Sequence, residues 1–172
     1  MSKLKPPVNS GDQQTGNIKA KVILVEYGDF QCPHCGHAHP LLKKLLNEMG
    51  SDIHFVFRHF PLSEVHPAAM MAALAAEAAG KQNRFWDMHD MIFENQENLQ
   101  GDIIVDFAEN LGLNLQQFAA DWKSHAIIEK VEADFESGIR SGVNGTPSFF
   151  VNGSKLETYD GSYESLVEAV RI

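Results

Sequence analysis

The sequence predicts an α/β fold: a central mixed sheet flanked by helices, with an all-helical domain inserted. Three observations predict it. An apolar run, a tight turn and an amphipathic helical pattern follow one another from Lys21 to Met49. A second strand pattern begins at Asp52. From Ser63 to about Ser141 the pattern is helical throughout, and a β pattern returns at Ser148. The boundaries read as a polar leader over 1–20, an α/β unit of 21–61 plus 142–172, and a helical insert over 62–141.

In chain order, residues 1–20 are polar, with Pro6-Pro7, Gly11 and Gly16, and suggest a leader lying on the fold and not an element. Val22 to Tyr27 is nearly continuous in apolar residues, as in a central strand buried on both faces. Glu26 interrupts it. An exposed strand end and a buried acid six residues before Cys32 are both open readings. Pro40 lies inside the following helix, where it cannot donate to Gly36 and should kink the helix. Leu41, Leu42, Leu45, Leu46 and Met49 form the helix's apolar face, and Gly50 is expected to end it. Ile53, Phe55 and Phe57 alternate with His54, Val56 and Arg58, a second strand stopped by Pro61. The helix between the strands makes the pair parallel.

The insert reads as five helices. Ser63 or His66-Pro67 starts one ending near Gly80, and Arg84–Asn95 is the next, with Phe85, Trp86 and Met88 as helical core. Asp102 caps a third, Asn114 a fourth, and Ser124 or His125 begins a fifth. Ser148 to Leu156 is a hairpin about an Asn152-Gly153 type I′ turn. Ser162 caps a last helix with Tyr163, Leu166, Val167 and Val170 facing inward.

The two cysteines of the chain are Cys32 and Cys35, in Cys-Pro-His-Cys at a helix start. This is no disulfide scaffold, which would spread its bridges over the chain. Unpaired N–H groups and the dipole at a helix N-terminus favour a thiolate. Pro33 suits the first helical turn. His34 adds a donor or a positive charge. Together they can bring a thiol pKa from about 8.5 into the range of roughly 3.5–7.5. Cys32 is then the attacking and leaving sulfur and Cys35 the resolving thiol. Stabilising the thiolate makes the disulfide a stronger oxidant.

The stretch Glu26 to Gly36, Pro40, His66-Pro67, Ala75 to Gly80, Phe85 to Asp90 and Gly145 to Gly153 together resemble DsbA-like proteins of the thioredoxin superfamily. The resemblance covers nearly everything after about residue 16. It implies a thioredoxin-like fold and a thiol–disulfide oxidoreductase acting as an oxidase. It assigns Cys32 as nucleophile, Cys35 as resolving cysteine, and Pro33-His34 as the oxidising dipeptide. Pro147 becomes a cis-proline facing the sulfurs. The backbone of Thr146 is the edge on which an extended substrate pairs. Glu26 becomes a buried acid exchanging protons with Cys35. The alternatives are a reductase or isomerase using the same site, or a redox-switched, chaperone-like peptide binder.

The implied partners are protein or peptide thiols and a redox partner that regenerates the pair. No cofactor beyond the Cys32–Cys35 pair is implied. A formal net charge of −9 argues against nucleic acid, and the longest apolar run is too short to span a bilayer. With no apolar export core at its N-terminus the chain reads as cytoplasmic as written, and as periplasmic or envelope-located if a leader was removed.

A zinc reading of Cys32, Cys35, His37 and His39 fails, because the two histidines lie about 200° apart on a helix. His54, His59, His66, His89 and His125 read as surface or interelement packing. An apolar groove for substrate is expected near the cysteines, with Phe30, Phe60 and Phe149 as candidates to line it.

Overall fold

The computed structural model describes all 172 residues. Its sheet is built from β1 (Gln13–Gly16), β2 (Val22–Gly28), β3 (Ile53–His59), β4 (Ser148–Val151) and β5 (Ser154–Lys155), in the spatial order β1-β3-β2-β4-β5. β2 lies at the centre, parallel to β3 and antiparallel to β4. The crossover between β2 and β3 is α1 (Pro33–Met49), which continues through Pro40. Gly50 keeps right-handed helical angles and opens a short 3-10 turn before β3 instead of forming a left-handed stop.

The helical segment contains α2 (Ala69–Gly80), α3 (Phe85–Glu94), α4 (Gly101–Asn110), α5 (Leu115–Trp122) and α6 (His125–Arg140). The chain then returns through β4 and β5 to α7 (Tyr163–Val170). Asn114, Ser124 and Ser162 cap their helices, each side chain accepting from the backbone N–H three residues on. Asp102 does not cap α4; Gln100 occupies that position, with no side-chain hydrogen bond. α2 starts later than either Ser63 or Pro67, at Ala69. The hairpin turn has positive φ at both Asn152 and Gly153, as type I′ demands.

The insert does not form a core of its own. One continuous apolar cluster runs from Leu24, Phe55 and Phe57 on the sheet through Cys35, Ala38 and Leu42 on α1 to Ala76, Met88, Ile104 and Phe118 in the helical segment. Trp86 packs at its edge and donates its indole N–H to Gln14 O.

The polar leader takes a larger part in the sheet than its composition suggests. Residues 13–16 add an antiparallel edge strand to β3. Upstream, Leu4 N–H donates to Gly153 O, and Lys3 bridges Ser154. The leader and α6 pack on the sheet face opposite α1, and every residue of β3 is buried. Arg58 is the clearest consequence. Its guanidinium holds Asp12 through two 2.9 Å bonds and donates to Pro6 O, Pro7 O and the Tyr27 hydroxyl. Both side chains of the ion pair are almost fully buried.

Removing one partner of a buried ion pair strands the other charge. Asp12→Ala is therefore expected to cost about 3–5 kcal/mol, read as a lowered midpoint in guanidinium unfolding. A loss below about 1 kcal/mol would mean that the pair behaves like a surface salt bridge.

Candidate active site

β2 ends at Gly28, and the chain turns through Asp29-Phe30-Gln31 to deliver Cys32 to the N-cap of α1. Asp29 builds this turn. Its Oδ1 accepts from the N–H of Gln31 (2.7 Å) and of Cys32 (3.1 Å), the hydrogen bonding of an Asx turn. Its Oδ2 accepts from Leu62 N–H (2.9 Å) and pairs with His66 Nδ1 (2.8 Å). One fully buried carboxylate thus ties the cysteine turn to the chain entering the helical insert. Gln31 adds a second tie, accepting from Ala68 N–H.

A third tie comes from the insert itself. Gln96 donates from Nε2 to both Phe30 O (2.9 Å) and Cys32 O (3.0 Å). A Cβ at Gly36 would collide with the Gln96 side-chain amide, so the glycine makes room for this reach.

Both thiols are free and buried. Cys35 hydrogen-bonds Cys32 and is the largest influence pulling the Cys32 thiol down to about 5. Burial opposes the shift. The Thr146 side chain and the backbone N–H groups of Cys35 and His34 reinforce it. His34 therefore acts on the sulfur through its main chain, and its ring is exposed. Pro33 occupies the first helical position.

Burial pushes the Cys35 thiol well up, and its bond to Cys32 and the nearness of Glu26 add to that. Glu26 is 1% exposed with Oε2 unpartnered. Burial, with the Cys32 charge second, raises its carboxyl to about 8. Of the two open readings of Glu26, the structure shows the buried acid.

Thr146-Pro147 is a cis peptide. The Cys32 thiol lies 3.5 Å from Thr146 O, across 114 residues of sequence. The Thr146 N–H makes no hydrogen bond within the chain, so this backbone edge is unpaired beside the sulfur.

The seven site residues singled out from the sequence, the two cysteines included, thus meet at one place, the end of β2 and the start of α1. Asp29 and Gln96 were not singled out from the sequence. The Gly-Asp turn before the cysteines carries an Asx-turn signal for the first. Gln96 lies in a short polar 3-10 turn and carries no signal. Phe30, Phe60 and Phe149 are each 2% exposed or less, so none of them lines an open groove.

The nominal zinc ligands diverge. His37 is exposed and bonds Gly161 O, whereas His39 is buried against Glu94. His39, His89 and Asp90 do converge between α1 and α3. There Lys43 already supplies a cation to Asp90 and Glu94. His54, His59, His66 and His89 pack between elements, on Gln14, Glu77, Asp29 and Asp90 respectively.

A buried low-pKa thiol one helical turn from a high-pKa thiol, beside a cis-proline, defines the fold and site class of thiol–disulfide oxidoreductases. The family model described as thioredoxin matches residues 9–171. The chain belongs to the thioredoxin family. The oxidised BdbD structure from Bacillus subtilis superposes with a TM-score of 0.84 at 23% identity, covering 99% of this chain and 95% of that one. The thiol-disulfide exchange protein alpha-DsbA2 from Wolbachia pipientis gives 0.81 at 22% identity, covering 94% and 87%. Among curated proteins, one named Na(+)/H(+) antiporter NhaA 1, from Salinispora arenicola, is 42% identical over 161 residues. That match takes in 92% of this chain and 24% of the relative, so the chain spans about a quarter of the length of the curated relatives it matches. No helix is long and apolar enough to cross a membrane.

With a thiol pKa near 5, Cys32 alkylation by iodoacetamide is expected to titrate with a midpoint near pH 5. The shift is downward, so the stability it lends the reduced chain is fully present above the unfolded thiol's pKa and is lost as pH falls through about 5. A midpoint near 8.5, that of a free thiol, would contradict the geometry. Gly36→Ala displaces Gln96 and leaves Phe30 O without its donor, while Cys32 O keeps only Gly36 N–H, a cost of about 1–3 kcal/mol. Adding Gln96→Ala should cost less than the sum of the two single changes, measured as a double-mutant cycle.

Proposed function

We propose that the chain is a protein thiol–disulfide oxidoreductase that works in the oxidising direction on protein or peptide thiols. The observation that carries this reading is the split between the two sulfurs, with Cys32 pulled to about 5 and Cys35 pushed up.

In the oxidised chain Cys32 and Cys35 share a disulfide. A substrate thiolate attacks Cys32 Sγ. The S–S bond breaks, and Cys35 leaves as a thiolate that takes a proton from Glu26, whose carboxyl burial holds protonated well above the usual carboxylate range. A second substrate thiolate then attacks the substrate sulfur of the mixed disulfide, and Cys32 departs as a stable thiolate. The substrate loses two electrons and gains a disulfide, and the protein is left as the dithiol. A redox partner must then remove those two electrons. The pair itself carries them, and no other cofactor is proposed.

The free Thr146 N–H beside Cys32 supports an extended substrate pairing there through its main chain, a mode tolerant of sequence. The low pKa of Cys32 supports the direction, because a good leaving thiolate makes a poor resting disulfide. Such a protein turns over in an oxidising compartment. The antiporter name belongs to relatives of which this chain matches about a quarter, and ion exchange is not proposed for it.

Cys32→Ser should abolish exchange, and Cys35→Ser should accumulate mixed disulfides with substrate, seen on non-reducing gels. No trapped species with Cys35→Ser would sink the reading. Equilibration with glutathione should place the potential above about −200 mV, and a value near −270 mV would make the chain a reductase. Glu26→Gln should slow departure and resolution at Cys35 by about tenfold or more, measured by single-turnover quench. In the wild type the oxidising step should fall off as pH rises through the burial-raised Glu26 titration, at a pH below the dithiol value of about 8 because the disulfide lacks the Cys32 charge.

A further inference from the structure

We propose that the cleft between the 61–65 turn and α6 receives an apolar side chain, with a Lys or Arg beside it in sequence, from the polypeptide whose thiol reacts with Cys32. The inference rests on the exchange reading above and names the substrate chemistry for it.

The cleft has a volume of about 540 Å³, within the range of small-ligand pockets. Its walls are Leu62, Val65, Met70 and Phe135, with Glu64 and Glu132 beside them. Val65 is 68% exposed, and Ile139, one helical turn beyond Phe135, is 55% exposed. Apolar surface left in water suits a partner that covers it.

Its place in the fold ties it to the site. Leu62 N–H and Cys32 N–H donate to the two oxygens of the same Asp29 carboxylate. One wall of the cleft therefore hangs on the group that shapes the cysteine turn. The other wall is α6. From Phe135 it runs past Ile139 to Arg140, and six residues later the chain reaches Thr146. The proposed path for a peptide paired on the Thr146 edge is over Ile139 into the cleft.

Charge selects the occupant. The only charged side chains lining the cleft are Glu64 and Glu132, and neither forms an ion pair within the chain. A cationic neighbour to the apolar residue would meet both. A second copy of this chain fits poorly, since its net charge of −9 would face an acidic rim.

The test uses single-cysteine peptides in which the residues following the cysteine are varied to contain Leu-Lys, Leu-Glu or Ser-Lys, with glutathione as the small-thiol control. Wild-type kcat/KM should rank the Leu-Lys peptide first by about tenfold, roughly half or more of what fully burying one Leu side chain is worth. Val65→Asp should erase that preference and leave glutathione exchange and the Cys32 titration midpoint unchanged. Glu132→Lys, an exposed change that spares folding, should invert the Lys over Glu preference. Equal rates for all three peptides would overturn the proposal, and so would variants that slow glutathione and peptides alike. Sedimentation showing a dimer abolished by Val65→Asp, with peptide ranking intact, would assign the cleft to self-association instead. If the wild type exchanges with neither glutathione nor peptides, it is the oxidoreductase reading that fails, and this proposal with it.

Discussion

The space beneath the first turn of α1 can hold one negative charge, and the rest of the site follows from where that charge sits. Three acidic groups, Cys32, Cys35 and Glu26, are buried together with no cationic side chain among the influences on them. Each added charge would be poorly solvated and would repel the others. Only Cys32 has donors enough to ionise, from Cys35, Thr146 and two backbone N–H groups. Its ionisation in turn helps keep Glu26 and Cys35 protonated. A chemical asymmetry between two identical side chains three positions apart is thus produced by burial and by the direction of a helix.

That charge distribution needs the turn to be held still, and hydrogen bonds from distant parts of the chain hold it. Asp29 and Gln31 bind the backbone at Leu62 and Ala68, and Gln96 reaches back to Phe30 and Cys32. The helical insert is therefore more than a cover. Its core is continuous with the sheet's, and its polar groups complete the hydrogen bonding of the cysteine turn. On the opposite face of the sheet, the Arg58–Asp12 pair fastens the N-terminal residues across β3. A buried guanidinium there is tolerated because every one of its donors is spent on an acceptor nearby.

The apolar surface near the site lies to one side of the sulfurs. The aromatic residues closest in sequence to the functional motifs, Phe30, Phe60 and Phe149, are used to build the core. The open apolar surface belongs to Leu62, Val65 and Phe135, from two elements about seventy residues apart in sequence. A groove assembled in this way leaves no local pattern, because each contributor reads separately as ordinary loop or helix.

What the sequence by itself determined is the set of local features: the apolar β2 run, the Cys-Pro-His-Cys helix start, the Asn152-Gly153 turn, and the caps at Asn114 and Ser162. Each is fixed by chemistry within a few residues, whether hydrophobic period, positive φ or a side chain reaching its own backbone. Only the tertiary structure decided the rest. It showed that Glu26 is buried and not a strand end. It made a sheet strand of the polar residues 13–16, brought Asp29 and Gln96 onto the cysteine turn, and set Thr146 beside Cys32. These depend on partners tens of residues away. A carboxylate or an amide looks the same in sequence whether water or a buried N–H will be its partner.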